Sequence, residues 1–254
     1  MDHQSGRASA VTHARTLWTE LAGVPAGFTT PSSVVVAPGS LLCPPGWAGI
    51  VRIGDAALAT APDARTAEAL GRAVGKLSYA ELVDPVRLGE ALSGGTAPVL
   101  DVLGPAALFY GGQGRGRDAF VPAFPGAAGV TVERAASDAP ALTALLAAAG
   151  TADADESGLD EITSPAFLLR RRTHGDVVAA AGYLTWPRSV AHMCVLVSPH
   201  HRGRGLARIV ASAAVSHALV AGLLPQWRAR PYASRRVAVG LGLQELGAQL
   251  SVRM

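Results

Sequence analysis

A mixed α/β fold in two parts is the architecture this sequence predicts, on three observations. Segments with helical apolar spacing alternate with short apolar runs bounded by Gly, Pro, Asp and Ser. The chain has 254 residues, 49% hydrophobic and 16% charged, enough apolar surface for a buried core and too much for a disordered chain. The charge is also unevenly divided. Residues 164–254 carry 12 Arg against Asp176 and Glu245, a balance of +10, whereas residues 1–163 carry 10 basic and 17 acidic side chains, a balance of −7. The overall +3 hides this division, and the basic part points to an anionic ligand.

The elements follow in order. Residues 7–22 read as a helix, with Leu17, Trp18 and Leu21 close to one face, ending before Gly23 and Pro25. Ser33–Ala37 and Gly49–Ile53 read as short strands. Asp63–Lys76 reads as a helix because Ala67, Leu70, Val74 and Leu77 recur at three or four. Pro98–Tyr110 is apolar and extended in part. A Gly/Arg-rich run, Gly111 to Arg117, and a Pro-broken stretch to Gly129 mark the domain boundary, giving parts 1–128 and 129–254.

Beyond it come a strand at Val130–Arg134 and a helix from Ser137 to Gly150, with Ser or Asp expected as its N-cap. An acidic segment, 152–161, precedes three strands at Ala166–Arg172, Val177–Trp186 and Val190–Val197, whose short connections imply antiparallel pairing. A helix from about Gly205 to Ala221, a strand at Leu224–Arg228, a helix at Ala233–Gly240 and a strand at Leu243–Arg253 complete the chain.

Several classes are excluded on composition. The longest apolar stretch, Ala207–Pro225, is interrupted by Arg208, Ser212, Ser216 and His217, so no transmembrane helix is expected. Met1-Asp2-His3-Gln4-Ser5-Gly6-Arg7 lacks the pattern of a secretory signal, and a cytoplasmic protein is expected. Cys43 and Cys194 make neither a disulfide framework nor a zinc site, and no metal is expected.

The chemistry-bearing segment is the strand Met193-Cys194-Val195-Leu196-Val197, a turn, and Arg202-Gly203-Arg204-Gly205-Leu206-Ala207 opening a helix. Glycines allow close backbone approach to a ligand, and a helix start offers unpaired amides and a positive dipole end, a combination suited to a pyrophosphate. The segment is neither a P-loop nor a dinucleotide-binding fingerprint, because neither glycine spacing is present.

It resembles the acetyl-coenzyme A site of the GNAT superfamily of N-acetyltransferases, whose signature is Arg/Gln-x-x-Gly-x-Gly/Ala after a strand ending in a Val-x-Val-x-Pro-like run. Arg202, Gly205 and Ala207 match the signature, and Val195, Val197 and Pro199 match the lead-in. The resemblance covers residues 129–254 and implies a GNAT-like acyl-CoA N-acyltransferase fold with an additional N-terminal α/β region. A near miss to the signature at Gln113, Gly116 and Asp118 permits that region to be a degenerate second GNAT half.

What the resemblance implies for the site is specific. Backbone groups of Val195 and Val197 pair with the pantetheine of acetyl-CoA as an added strand. Gly203, Arg204, Gly205, Leu206 and Ala207 hold the pyrophosphate, with Arg202 adding charge, and Ser234 contacts the cofactor from a second segment, Trp227 to Leu243. An amine acceptor attacks the thioester directly, which calls for a base, oxyanion donors and an acid for the leaving thiolate. Where many members carry an acidic Tyr, this sequence has Ala238.

Three side chains are candidates for proton transfer: His192, which titrates near neutrality but alternates onto the face opposite Met193 and Val195, Tyr183 on the preceding strand, and Tyr232. Acids at 153, 155, 156, 160 and 161 either attract a cationic acceptor or form a solvated helix face. The leading function is an acetyl-CoA-dependent N-acetyltransferase for a small-molecule or protein amine. Its rivals are a noncatalytic acyl-CoA-binding regulatory module, consistent with Ala238, and a nucleic-acid-binding protein. Few stacking aromatics accompany the arginines, which disfavours nucleic acid.

Overall fold

The computed structural model describes residues 2–28, 32, 34–93, 98–111 and 129–254, with side chains from residue 7 onward. The Gly/Arg-rich run beyond Gly111, with Gln113, Gly116 and Asp118, and the boundary at 128 lie outside the described residues. In chain order the elements are α1 (Asp2–Leu21), β1 (Val34–Val36), β2 (Ala48–Ile53), β3 (Ala56–Ala61), α2 (Ala64–Val74), α3 (Pro85–Ser93) and β4 (Asp101–Tyr110). They continue with β5 (Val130–Ala135), α4 (Pro140–Ala149), α5 (Thr151–Ser157), β6 (Ala166–Arg171), β7 (Val177–Trp186) and β8 (Val190–Val197). The last are α6 (Leu206–Val220), β9 (Leu224–Ala229), α7 (Tyr232–Gly240) and β10 (Gln244–Arg253).

The chain divides into two compact units. The first comprises residues 1–109, 228–235 and 245–254; the second comprises 110–227 and 236–244. In the first, strand order is β1-β3-β2-β10-β4, with β1 parallel to β3 and β2 antiparallel to both β3 and β10. Leu70, Leu82, Leu88 and Leu92 from α2, α3 and the intervening turn pack on Ile50, Ala57, Ala59 and Leu250. Asp63 caps α2 by accepting from Thr66 N–H at 2.8 Å, worth about 1 kcal/mol. Sequence spacing found β2 but not β3, because Ala56–Ala61 is alanine-rich and buried at every position, so it has no alternation to read. It also missed α3.

The second unit has strand order β9-β8-β7-β6-β5, antiparallel throughout except for the parallel β8–β9 pair. One face carries α4 and α5: Leu142, Leu145, Leu159 and Ile162 pack on Leu168, Ala180, Cys194 and Leu196. Gly182 lies under this layer, where an added Cβ would come within 2.7 Å of Ile162 Cδ1. The buried side of α6, Val210, Ala211, Ala214, Val215 and Ala218, packs against β6, β7 and β8. One expectation needs correction. α4 begins at Pro140, a residue suited to the first helical position, so the N-cap is Ala139 and not Ser137 or Asp138, and no side-chain cap bond forms. Much of the acidic segment is helical, forming α5.

Candidate functional site

The site is built by the way β8 runs between β7 and β9. Its ladder with β7 extends from Val190↔Trp186 to Val197↔Ala179. Ser198 N–H donates to Val178 O at 2.9 Å, which fixes the parity of that ladder. His192, Cys194 and Leu196 are then the residues bonded to β7, and the N–H and C=O groups of Met193, Val195 and Val197 turn to the other edge. β9 takes up that edge only over Val190–His192, opposite Leu224–Gln226. Beyond it, among the described residues, Val195 and Val197 have no ladder partner on this side.

This open edge leads into an anion-suited turn. Arg202 Nε donates to Val197 O at 3.3 Å, folding the loop back on the strand end. Gly203 and Gly205 have φ of 77° and 74°, and a Cβ at either would meet nothing within 4 Å. They are glycine for their left-handed backbone, with free space in front of them. Gly205 is the N-cap of α6 and offers no side chain, while Arg208 and Ile209 N–H both turn to Gly205 O at 3.1 and 3.3 Å. The amides of Leu206 and Ala207 therefore have no intrahelical acceptor and sit at the positive end of a fifteen-residue helix. An extended amide chain ending in a pyrophosphate fits both features.

The surrounding charges are partly compensated. Arg202 is paired with Asp153 of α5 at 2.6 Å, which takes one of the acids expected to meet a cationic acceptor. Burial and the neighbouring Arg171, Arg204 and His200 pull the His201 imidazole below its ordinary value, keeping it neutral in this basic turn. Arg170 pairs with Glu133 and Arg171 with Asp176, each at 2.5 Å, and these guanidiniums hold both carboxyls below the usual range.

The proton-transfer candidates separate. His192 lies where the β8–β9 ladder stops. Its ring stacks on Trp186 at 4.1 Å and 3°, and its Nδ1 shares a 2.5 Å hydrogen bond with Gln226 Oε1. Pairing opposite Leu184, it alternates onto the face of Cys194 and Leu196. Tyr183, opposite Met193, is on the other face and 4% exposed, with its hydroxyl 3.0 Å from His217 Nδ1 of α6. Burial raises the Tyr183 hydroxyl and lowers the His217 imidazole, the latter with help from Arg134. Tyr232 opens α7 in the first unit and is 77% exposed. Ser234 follows it, half-buried, and Ala238 is fully buried.

Residues 171–248 match the family model of the GNAT acetyltransferases. The mixed α/β fold read from the sequence is the fold found. Similar solved structures include a GCN5-related N-acetyltransferase from Kribbella flavida, 24% identical, covering 64% of this chain and 62% of that one at a TM-score of 0.44. Another, from Sphaerobacter thermophilus, is 18% identical, covering 66% of this chain and 55% of that one at 0.46. A GNAT-family acetyltransferase from Colwellia psychrerythraea is 15% identical, covering 61% and 58% at 0.43. The chain thus spans less than two thirds of the length of these structures. No curated protein matches.

Sequence reasoning missed Gln226, Trp186 and His217, and it named Asp153 without its pairing to Arg202. Gln226 carried a readable signal, a lone amide within Leu224-Pro225-Gln226-Trp227, but its pairing with His192 depends on β8–β9 register. No described helix is long and apolar enough to cross a membrane, and the described residues hold no cluster of metal-ligating side chains.

Proposed function

We propose that the chain is an acetyl-CoA-dependent N-acetyltransferase that transfers acetyl to a primary amine of a small molecule or protein, acting in the cytoplasm. The observation that carries this reading is the continuity of an open β8 edge with an uncapped α6 N-terminus through two left-handed glycines. Val195 N–H and C=O and Val197 N–H pair with the pantetheine amides, the Val197 carbonyl being taken by Arg202. The amides from Gly203 to Ala207 receive the pyrophosphate, with Arg204 adding charge.

In this reading the acyl end of the thioester reaches the end of the open edge, beside His192. The amine nitrogen bonds to the carbonyl carbon as its proton passes to His192. The C–S bond then breaks, and the coenzyme thiolate takes a proton from solvent or a neighbouring acid. Tyr183, whose hydroxyl is held by His217 on the opposite face, is a weaker candidate. Residues 129–254 form the transferase module of this proposal, and residues 1–128 an additional N-terminal α/β region.

The test is thermal unfolding with and without acetyl-CoA, followed by release of free thiol with a panel of amines. A ligand at 100 times its Kd adds about 2.7 kcal/mol to the native state. No rise in Tm at saturating acetyl-CoA would remove the reading. A rise without turnover would favour a noncatalytic acyl-CoA-binding module, the reading supported by buried Ala238 where many members have an acidic Tyr.

A further inference from the structure

Gln226 is fully buried, yet only one end of its carboxamide is used: Oε1 meets His192 Nδ1, and Nε2 has no hydrogen-bond partner among the described residues. A buried N–H group left unpaired costs about 1–3 kcal/mol, so an apolar side chain would serve the core better here. The amide is explained by its partner. His192 and Gln226 are directly opposed in the parallel register, at the last pair before β8 and β9 part. Trp186 covers one face of the imidazole in a parallel stack that fixes the plane of the ring, and the hydrogen bond to Gln226 selects the edge that faces β9.

We propose that Gln226 is a positioning residue that fixes the tautomer of His192. An amide oxygen accepts only, so His192 must carry its proton on Nδ1, and the lone pair is directed to Nε2 on the far side of the ring. The proposal deepens the acetyl-transfer reading in one respect: a base at the end of the open edge has to present an unprotonated nitrogen, and Gln226 determines which nitrogen that is. Being uncharged, the Gln226 amide adds none of the pull toward imidazolium that a carboxylate at the same position would exert.

The groups that bear on this titration come from every packed element. β7 contributes Trp186 and no charged side chain, and β8 contributes Cys194, whose thiol donates to the His192 carbonyl at 3.6 Å. Arg228 lies further along β9, and α5 carries Asp153, Asp155 and Glu156, the first already paired with Arg202.

The experiment is nitrogen NMR of histidine-labelled full-length protein, with the His192 signal assigned by its loss in His192→Asn. At pH 8 the wild-type ring is expected in the Nδ1–H form. Gln226→Met, of similar size and without the acceptor, should shift the ring toward the Nε2–H form, and Gln226→Glu should raise the titration midpoint by about 1–3 pH units. In turnover assays the acid limb of kcat/KM should move up with the Glu variant by the same amount. An Nε2–H ring in the wild type overturns the proposal even if neither variant folds, and so does a midpoint unmoved in Gln226→Glu. The NMR arm needs no coenzyme. Failure of acetyl-CoA to bind would therefore sink the transfer reading alone, and a wrong tautomer would sink this one alone.

Discussion

Replacing Gly205 by Ala separates backbone geometry from ligand recognition. Gly205 has φ of 74° and open space where a Cβ would stand, so the methyl clashes with no described atom. The stability penalty is that of one non-glycine residue held left-handed, roughly 1–2 kcal/mol. Coenzyme binding should suffer more. The methyl takes up part of the open space through which a phosphate would reach the Leu206 and Ala207 amides, and losing one charge-assisted hydrogen bond there is worth about 1.5–3 kcal/mol, or roughly 10- to 150-fold in Kd. Gly222, just past the other end of α6, is the control, because its φ of 75° and empty surroundings match those of Gly205. Urea unfolding should give similar losses for Gly205→Ala and Gly222→Ala, while calorimetric titration with coenzyme A should show weakening for Gly205→Ala alone. Equal Kd values for the two variants would refute the assignment of this helix end to the phosphates.

Other outcomes follow from the same geometry. Asp153→Asn should leave stability within about 1 kcal/mol, since the pair is half exposed, and should tighten coenzyme A binding several-fold at low salt by freeing Arg202; weaker binding would mean that Asp153 orients the guanidinium for its ligand. The half-buried His217 has a folded pKa below its unfolded value, so the unfolded chain binds more protons as pH falls, and stability should be full above about pH 6.5 and decline beneath it. His217→Gln should flatten that slope in denaturant titrations from pH 7 to 5. Burial pushes the Cys43 thiol up to about 11, so at pH 8 its alkylation should be about 100-fold slower in the native protein than in urea, as followed by mass spectrometry.

How far the sequence could be read depended on whether a feature was local. The run from Val195 to Ala207 declares itself because strand, left-handed glycines and helix start are contiguous, and each leaves a residue-type signature. The α1 stripe of Ala10, Ala14, Leu17, Trp18 and Leu21 was visible in part through the same periodicity. β3 was invisible because complete burial removes alternation. The environment of His192 was beyond reach for another reason: strand parity gave its face, but Trp186 and Gln226 come to it through the registers of two different ladders. Tyr183 shows the same limit, since nothing near it in sequence announces His217, 34 residues away.

The uneven charge of the chain also acquires a different meaning. Counted along the sequence, the arginines after residue 163 suggest a strongly positive surface awaiting an anion. In the second unit, however, Arg170, Arg171 and Arg202 are each bonded to a carboxylate, and two of those carboxylates, Glu133 and Asp153, come from the acidic part of the chain. Folding thus compensates part of the positive charge of the second half, two of these three pairs drawing on the acidic half. His201, held toward neutrality, adds no further charge. An anion at the α6 N-terminus would therefore depend chiefly on the backbone amides and helix dipole, with Arg204 nearby and Arg202 shared with Asp153. Such a site should bind coenzyme A with a shallower salt dependence than twelve arginines would suggest, because fixed amide dipoles release no counterions. A steep loss of affinity between about 50 and 200 mM salt would instead show that the arginine side chains, and not the glycine-built helix end, dominate phosphate recognition.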